Sequence, residues 1–261
     1  MFHLRSRFFS ALLAVALAAL FAVPALAQDV RIGIGFVLPP YVIRENNQGL
    51  EVEIIQQALA VSGRSPVFVY LPNLRLPMEL SRGTLDAVAA NLSYDLGRET
   101  GLPVFHSAET LAYHNYAITL AEKGLVVNRL GDLLGRRVLA FQNAHKYLGP
   151  EFRQVTAELA CYRELADQSL HVGMLYADRA DILISDKRIF YYWRKKLAES
   201  PQAKGLGLDR PLTFHDVFPP SPRAVFFMNR ELRDDFDRGL NEIRKRGEIK
   251  ALCLKYLGEV P

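Results

Sequence analysis

Leu80-Ser81-Arg82-Gly83-Thr84-Leu85-Asp86-Ala87-Val88 is echoed further along the chain by Leu175-Tyr176-Ala177-Asp178-Arg179-Ala180-Asp181-Ile182-Leu183. Each copy reads as a helix end, a turn, an aspartate and a short apolar strand. Asn91 lies five residues beyond Asp86, and Asp186 lies five beyond Asp181. A polar side chain therefore falls just past the C-terminal end of each strand. In open α/β sheets, ligands sit at that end. Two such lobes facing each other make a cleft lined from both sides.

The sequence around the two copies supports this reading. Val30 to Val37 and Val67 to Tyr70 read as buried strands flanking a helix over Leu50 to Val61, where Leu50, Ile54, Ala58 and Val61 recur at helical spacing. Leu74 to Arg82 is helical and Ala87 to Ala90 is the next strand. Arg137 to Phe141, Cys161 to Leu165 and Ile182 to Ile184 are strands of a second unit, with helices between them. Its first helix, from Ala144, contains Pro150 and is expected to start late. Strands alternating with helices argue for parallel sheets. Tyr113 to Leu120 alternates like a long strand leaving the first lobe, and Thr213 to Val217 reads as the return crossing. Ala224 to Met228 is a strand. Asn229 to Arg246 is an amphipathic helix, and Gly247 separates it from a closing helix at Ile249 to Leu257.

Arg5 and Arg7 precede an apolar run from Phe8 to Val23, and Ala25-Leu26-Ala27 supplies a small-residue cleavage pattern. This predicts a secretory signal peptide over residues 1–27. The run is short for a span of about 20 residues. A periplasmic, soluble mature protein is the expectation. The formal net charge is +4, of which Arg5 and Arg7 account for two. No basic tract suggests nucleic-acid binding. Cys161 and Cys253 are the only cysteines. The compartment permits a disulfide, but geometry decides whether one forms. No Cys/His spacing resembles a metal site, and no cofactor is expected. Tyr191-Tyr192-Trp193 reads as lobe packing.

Taken in order, Pro39-Pro40-Tyr41, Gly49-Leu50-Glu51-Val52-Glu53-Ile54, Gly83-x-x-Asp86, the polar run to Arg98, Gly135-Arg136-Arg137-Val138, Asp181 to Asp186, and Gly247-x-Ile249 through Tyr256-Leu257-Gly258 resemble the bacterial extracellular solute-binding proteins of family 3. The resemblance implies a type II periplasmic binding protein fold. Its two α/β lobes would each hold a mixed, mainly parallel sheet, joined by two crossings and closing on ligand. Lobe 1 would comprise 28–112 and 213–261, and lobe 2 would comprise 113–212.

The resemblance also implies roles. Arg98 matches the arginine that grips a ligand carboxylate, and a planar, always-charged guanidinium suits that task. A surface loop arginine is the alternative. Asp186 matches the acid that accepts the ligand's ammonium, and it also suits the N-cap of the following helix. Asn91 and Ser93 match the polar loop beside the ligand, with ordinary turn chemistry as the alternative. Tyr41 resembles the aromatic that covers the ligand, with core packing as the alternative. The family's hydroxyl after the Gly135 strand is missing. Gln142-Asn143-Ala144-His145 stands there, with His145 as the replacement donor or simply an exposed helix-start histidine.

The function implied is capture of a polar amino acid or related small carboxylate, without catalysis, for an ABC permease, by a monomer. A cyclohexadienyl-dehydratase-like enzyme and a stand-alone ligand sensor are the competing classes.

Overall fold

The computed structural model describes residues 28–36 and 38–258. The signal peptide expected over residues 1–27 lies outside the described residues. In chain order the elements are β1 (Gln28–Ile34), α1 (Leu50–Val61), β2 (Arg64–Tyr70), α2 (Leu76–Ser81), β3 (Ala87–Asn91), α3 (Leu96–Thr100), β4 (Phe105–His106), β5 (Leu111–Tyr113) and β6 (Asn115–Leu120). There follow β7 (Val138–Phe141), α4 (Ala144–Tyr147), α5 (Pro150–Glu158), β8 (Tyr162–Leu165), α6 (Ser169–Tyr176), β9 (Ile182–Asp186), α7 (Lys187–Ala198) and β10 (Leu212–His215). The chain closes with β11 (Ser221–Phe227), α8 (Arg230–Lys245) and α9 (Glu248–Leu257).

These strands form two sheets. The first has the order β2-β1-β3-β11-β4, with β5 also on β11, and the second has the order β10-β6-β9-β7-β8. Three parallel strands sit at one side of each sheet, β2-β1-β3 and β8-β7-β9. An antiparallel strand joins each trio, β11 on β3 and β6 on β9. The two lobes are thus repeats of one plan, and the echoed sequence modules occupy equivalent places in it. The fold is the two-lobed α/β architecture expected.

The same ionic clasp locks both copies. Arg31 on β1 donates to Asp86 through its backbone N–H (2.8 Å), Nε (3.0 Å) and Nη2 (2.7 Å). Arg137, just before β7, makes the same three bonds to Asp181 at 2.8, 3.1 and 2.6 Å. The recurring aspartates therefore fasten neighbouring strands at the end opposite Asn91 and Asp186. The arginine hydrogen bonds hold both carboxyls below their ordinary value near 3.8. Their contribution to stability is full above that value and is lost as pH falls through the lower folded value. Asp86→Asn and Asp181→Asn are each expected to lower the urea midpoint at pH 7. Each deficit should close below the folded pKa, and a deficit unchanged down to pH 2 would contradict the clasp.

Local signals explain the breaks in the elements. Pro150 takes the first position of α5, so the predicted helix splits into α4 and α5. The strand read over Tyr113 to Leu120 divides at His114, where the chain leaves the first sheet. Thr213 does not begin the return crossing. β10 pairs with β6 in the second sheet, so the chain crosses back over residues 216–220. Cys161 is exposed, Cys253 is buried, and both are free thiols. No helix among the described residues is long and apolar enough to cross a membrane.

The largest core lies in the first lobe, where α1, α8 and α9 cover the sheet with Ile32, Ile54, Leu59, Phe227, Phe236 and Leu240. This packing fixes the start of α1, on which the cleft floor depends.

Candidate functional site

Between the lobes lies a cleft of about 650 Å³. The C-terminal ends of the parallel strands in both lobes open into it. Phe36, Pro72 and Asn91 line it from the first lobe, and Phe141, Asp167 and Asp186 from the second.

Its floor is assembled around the first turn of α1. Gly49 precedes that helix at φ 115°, and a Cβ there would lie 2.3 Å from the Tyr41 carbonyl oxygen. Only glycine fits this contact. The close approach lets two otherwise unpaired helix N–H groups donate to the preceding loop, Leu50 to the Pro40 carbonyl (3.1 Å) and Glu51 to that of Tyr41 (3.0 Å). Tyr41 and Glu51 are thereby turned inward together.

Glu51 is 1% exposed. Its carboxylate accepts from the Tyr113 hydroxyl (2.6 Å) and from Arg223 Nε (3.0 Å). A carboxylate in a helix's first turn also faces the positive end of the dipole. Arg223, on β11, is 8% exposed and lines the cleft. Its Nη2 donates to the Ala89 carbonyl at 3.3 Å. Its guanidinium lies 4.9 Å from the Tyr113 ring centroid. Burial raises the Tyr113 hydroxyl's pKa well above its ordinary value, so it remains a donor.

Asp186 is 2% exposed and ends β9 at the cleft. One oxygen caps α7 by accepting from the backbone N–H groups of Arg188 (2.8 Å) and Ile189 (3.1 Å). The other accepts from the His114 N–H at 2.8 Å. The Tyr41 hydroxyl donates to the same carboxylate at 3.2 Å across the lobe boundary. Tyr41 also packs against Tyr113, with centroids 4.4 Å apart. Burial pushes the Asp186 carboxyl up, and the surrounding N–H donors oppose the shift.

The structure brings Asn91 and Asp186 together in the cleft lining, and it places the other sequence candidates elsewhere. Arg98 is exposed on α3, outside the lining, and its backbone N–H donates to the capping Asp95 at 3.0 Å. Ser93 is exposed, and its hydroxyl donates to Asn91 Oδ1 at 2.7 Å. Tyr41 is 1% exposed and lies beneath the cleft wall. His145 turns away towards β8, with Nδ1 2.7 Å from Glu164 Oε1. Conversely, Trp193 lines the cleft as well as packing the lobes. Arg223, Glu51 and Tyr113 were not singled out by sequence. The available signal was a charged residue at the mouth of an apolar strand, Arg223 before Ala224 to Met228. Among the described residues, no group of three or more His, Cys, Asp or Glu is gathered to hold a metal ion.

A family model for bacterial extracellular solute-binding proteins, family 3, matches residues 30–259. No curated protein sequence gives a match. Among solved structures, a histidine kinase sensor domain with similarity to periplasmic binding proteins superposes at TM-score 0.70 and 19% identity, covering 90% of this chain and 99% of that one. The probable amino-acid ABC transporter extracellular-binding protein of Bacillus subtilis superposes at 0.68 and 20% identity, covering 89% and 100%. The GluR0 ligand-binding core in complex with L-glutamate superposes at 0.68 and 12% identity, covering 88% and 99%. At these identities the likeness is one of fold.

Proposed function

Because this chain belongs to the bacterial extracellular solute-binding proteins, family 3, we propose that it captures an amino acid or related small carboxylate between its lobes and presents it to an ABC permease. The observation that carries this reading is a cleft lined by one buried acid and one buried base from opposite lobes, Asp186 and Arg223. A zwitterion matches both. An ammonium beside Asp186 offsets the desolvation of that carboxylate, and closure strengthens each contact by excluding water. Capture and release need no covalent step. The signal peptide expected over residues 1–27 supports a periplasmic setting.

The test is a thermal-shift screen of residues 28–261, refolded to strip carried ligand, against amino acids and small organic acids. A ligand at 100 times its Kd should stabilise by about 2.7 kcal/mol, roughly 5–10 °C for a chain of this size. A hit from either class supports the reading. Silence from both would remove its support.

A further inference from the structure

We propose that Arg223 is the anion seat of this cleft and that the ligand it selects is a carboxylate on an aromatic-sized apolar body. This rests on the solute-binding reading above and names the ligand class for the same site. Arg223 is built to receive one more acceptor. Nε is taken by Glu51, Nη2 reaches the Ala89 carbonyl, and the Tyr113 ring lies against the guanidinium. Nη1 has no hydrogen-bond acceptor among the described residues, although Arg223 lines the cleft. Glu51 holds the guanidinium plane from behind, so little side-chain freedom remains to be lost when a ligand carboxylate docks in front. Arg98 offers no comparable seat, since it is exposed and lies outside the lining.

The rest of the cleft speaks for the body of the ligand. Phe36, Leu38 and Leu74 from the first lobe face Phe141, Tyr147 and Trp193 from the second. A cleft of about 650 Å³ lies within the range that encloses whole small molecules. Apolar and aromatic residues outnumber the polar ones in the lining, so a short polar side chain would leave much of that carbon surface uncovered. Aryl-alkyl acids and aromatic amino acids share the chemistry that fits. They differ only in whether an amine reaches Asp186.

The experiment is calorimetric titration of residues 28–261 with 3-phenylpropionate, phenylalanine, 3-phenylpropionamide and glutamate. Trp193, the chain's single tryptophan, gives a parallel fluorescence signal from the cleft wall. One or both of the aromatic acids should bind, and the better of them by about tenfold or more over the amide, the step expected of a charge-assisted hydrogen bond. Phenylalanine above phenylpropionate identifies a ligand amine at Asp186, and the reverse order identifies a simple acid. Both orders support the proposal.

Arg223→Gln alone strands the Glu51 charge, so the informative variant is Glu51→Gln with Arg223→Gln, checked for folding by circular dichroism. It should lose the preference for acid over amide, whereas Arg98→Ala should keep it. Equal binding of acid and amide by the wild type overturns the proposal. So does loss of binding in Arg98→Ala with the preference intact in the double variant. If glutamate or another polar amino acid binds while both aromatic acids fail, the ligand class is overturned and the solute-binding reading stands. If these probes and the wider screen are all silent, both fail together.

Discussion

Glu51→Leu is expected to destabilise the protein by about 3–5 kcal/mol, because it removes one partner of a buried ion pair and leaves the other charged. Arg223 would lose its Nε acceptor, and the Tyr113 hydroxyl would lose the only acceptor it has among the described residues. Leucine fills much of the volume, so the loss is electrostatic and not a cavity effect. Urea unfolding of wild type and variant measures it. At this chain length the melting temperature should fall by roughly 6–20 °C. The double variant with Gln at positions 51 and 223 provides the contrast. It carries no stranded charge and keeps polar groups facing each other, so its cost should be clearly smaller than that of Glu51→Leu. If Glu51→Leu unfolds within about 1 kcal/mol of wild type, the value typical of exposed pairs, water in the cleft is solvating Arg223 and the pair does not organise the floor.

That pair also marks where sequence reading stops. The repeated modules were legible because their signals are local, with helical spacing up to Leu80 and Leu175, a turn, an aspartate and an apolar strand. From these, the parallel trios and the placing of Asn91 and Asp186 at the cleft follow by counting residues along a strand. Asp86 and Asp181 recur for a different reason, which only their arginine partners reveal. Glu51 and Arg223 stand 172 residues apart. Nothing near either residue announces the other, since a glutamate in a helix's first turn already has a sufficient local explanation. Arg98 and His145 came from motif matching, which locates a loop but not the direction of its side chains. In this structure one lies on the exposed face of α3 and the other is drawn aside by Glu164. The break at His114 escaped for a related reason, because alternation continues across the point where the strand changes sheets.

Gly239→Ala tests how far the floor depends on distant packing. Gly239 lies on α8, and a Cβ there would come within 1.9 Å of the Ala58 carbonyl oxygen on α1. Gly33 is also crowded, but its nearest neighbours are the ends of the Leu85 and Leu76 side chains, at 2.6 and 2.8 Å, which can rotate. At Gly239 the obstacle is helix backbone, so the two helices must separate. Alanine gains about 1 kcal/mol in helix propensity over glycine. Overpacking costs typically about 1–3 kcal/mol and occasionally more, and a rigid backbone obstacle puts this site at or beyond the top of that range. The net expectation is a loss of about 2–3 kcal/mol, seen as a lower urea midpoint. The consequence for binding follows from the same geometry. Ala58 and Glu51 share α1, seven residues and therefore about 10 Å apart along its axis, and a helix pushed from one end moves as a body. Glu51 would shift against Arg223 and Tyr113, so ligand affinity should fall together with stability although position 239 touches no ligand. Gly239→Ser should do the same, since it adds the same Cβ. Alanine accepted with an unchanged midpoint would show that the helices are not in this close contact. A stability loss with affinity intact would show that the cleft floor is held by β11 and the Tyr41 loop, without help from the packing of α1 on α8.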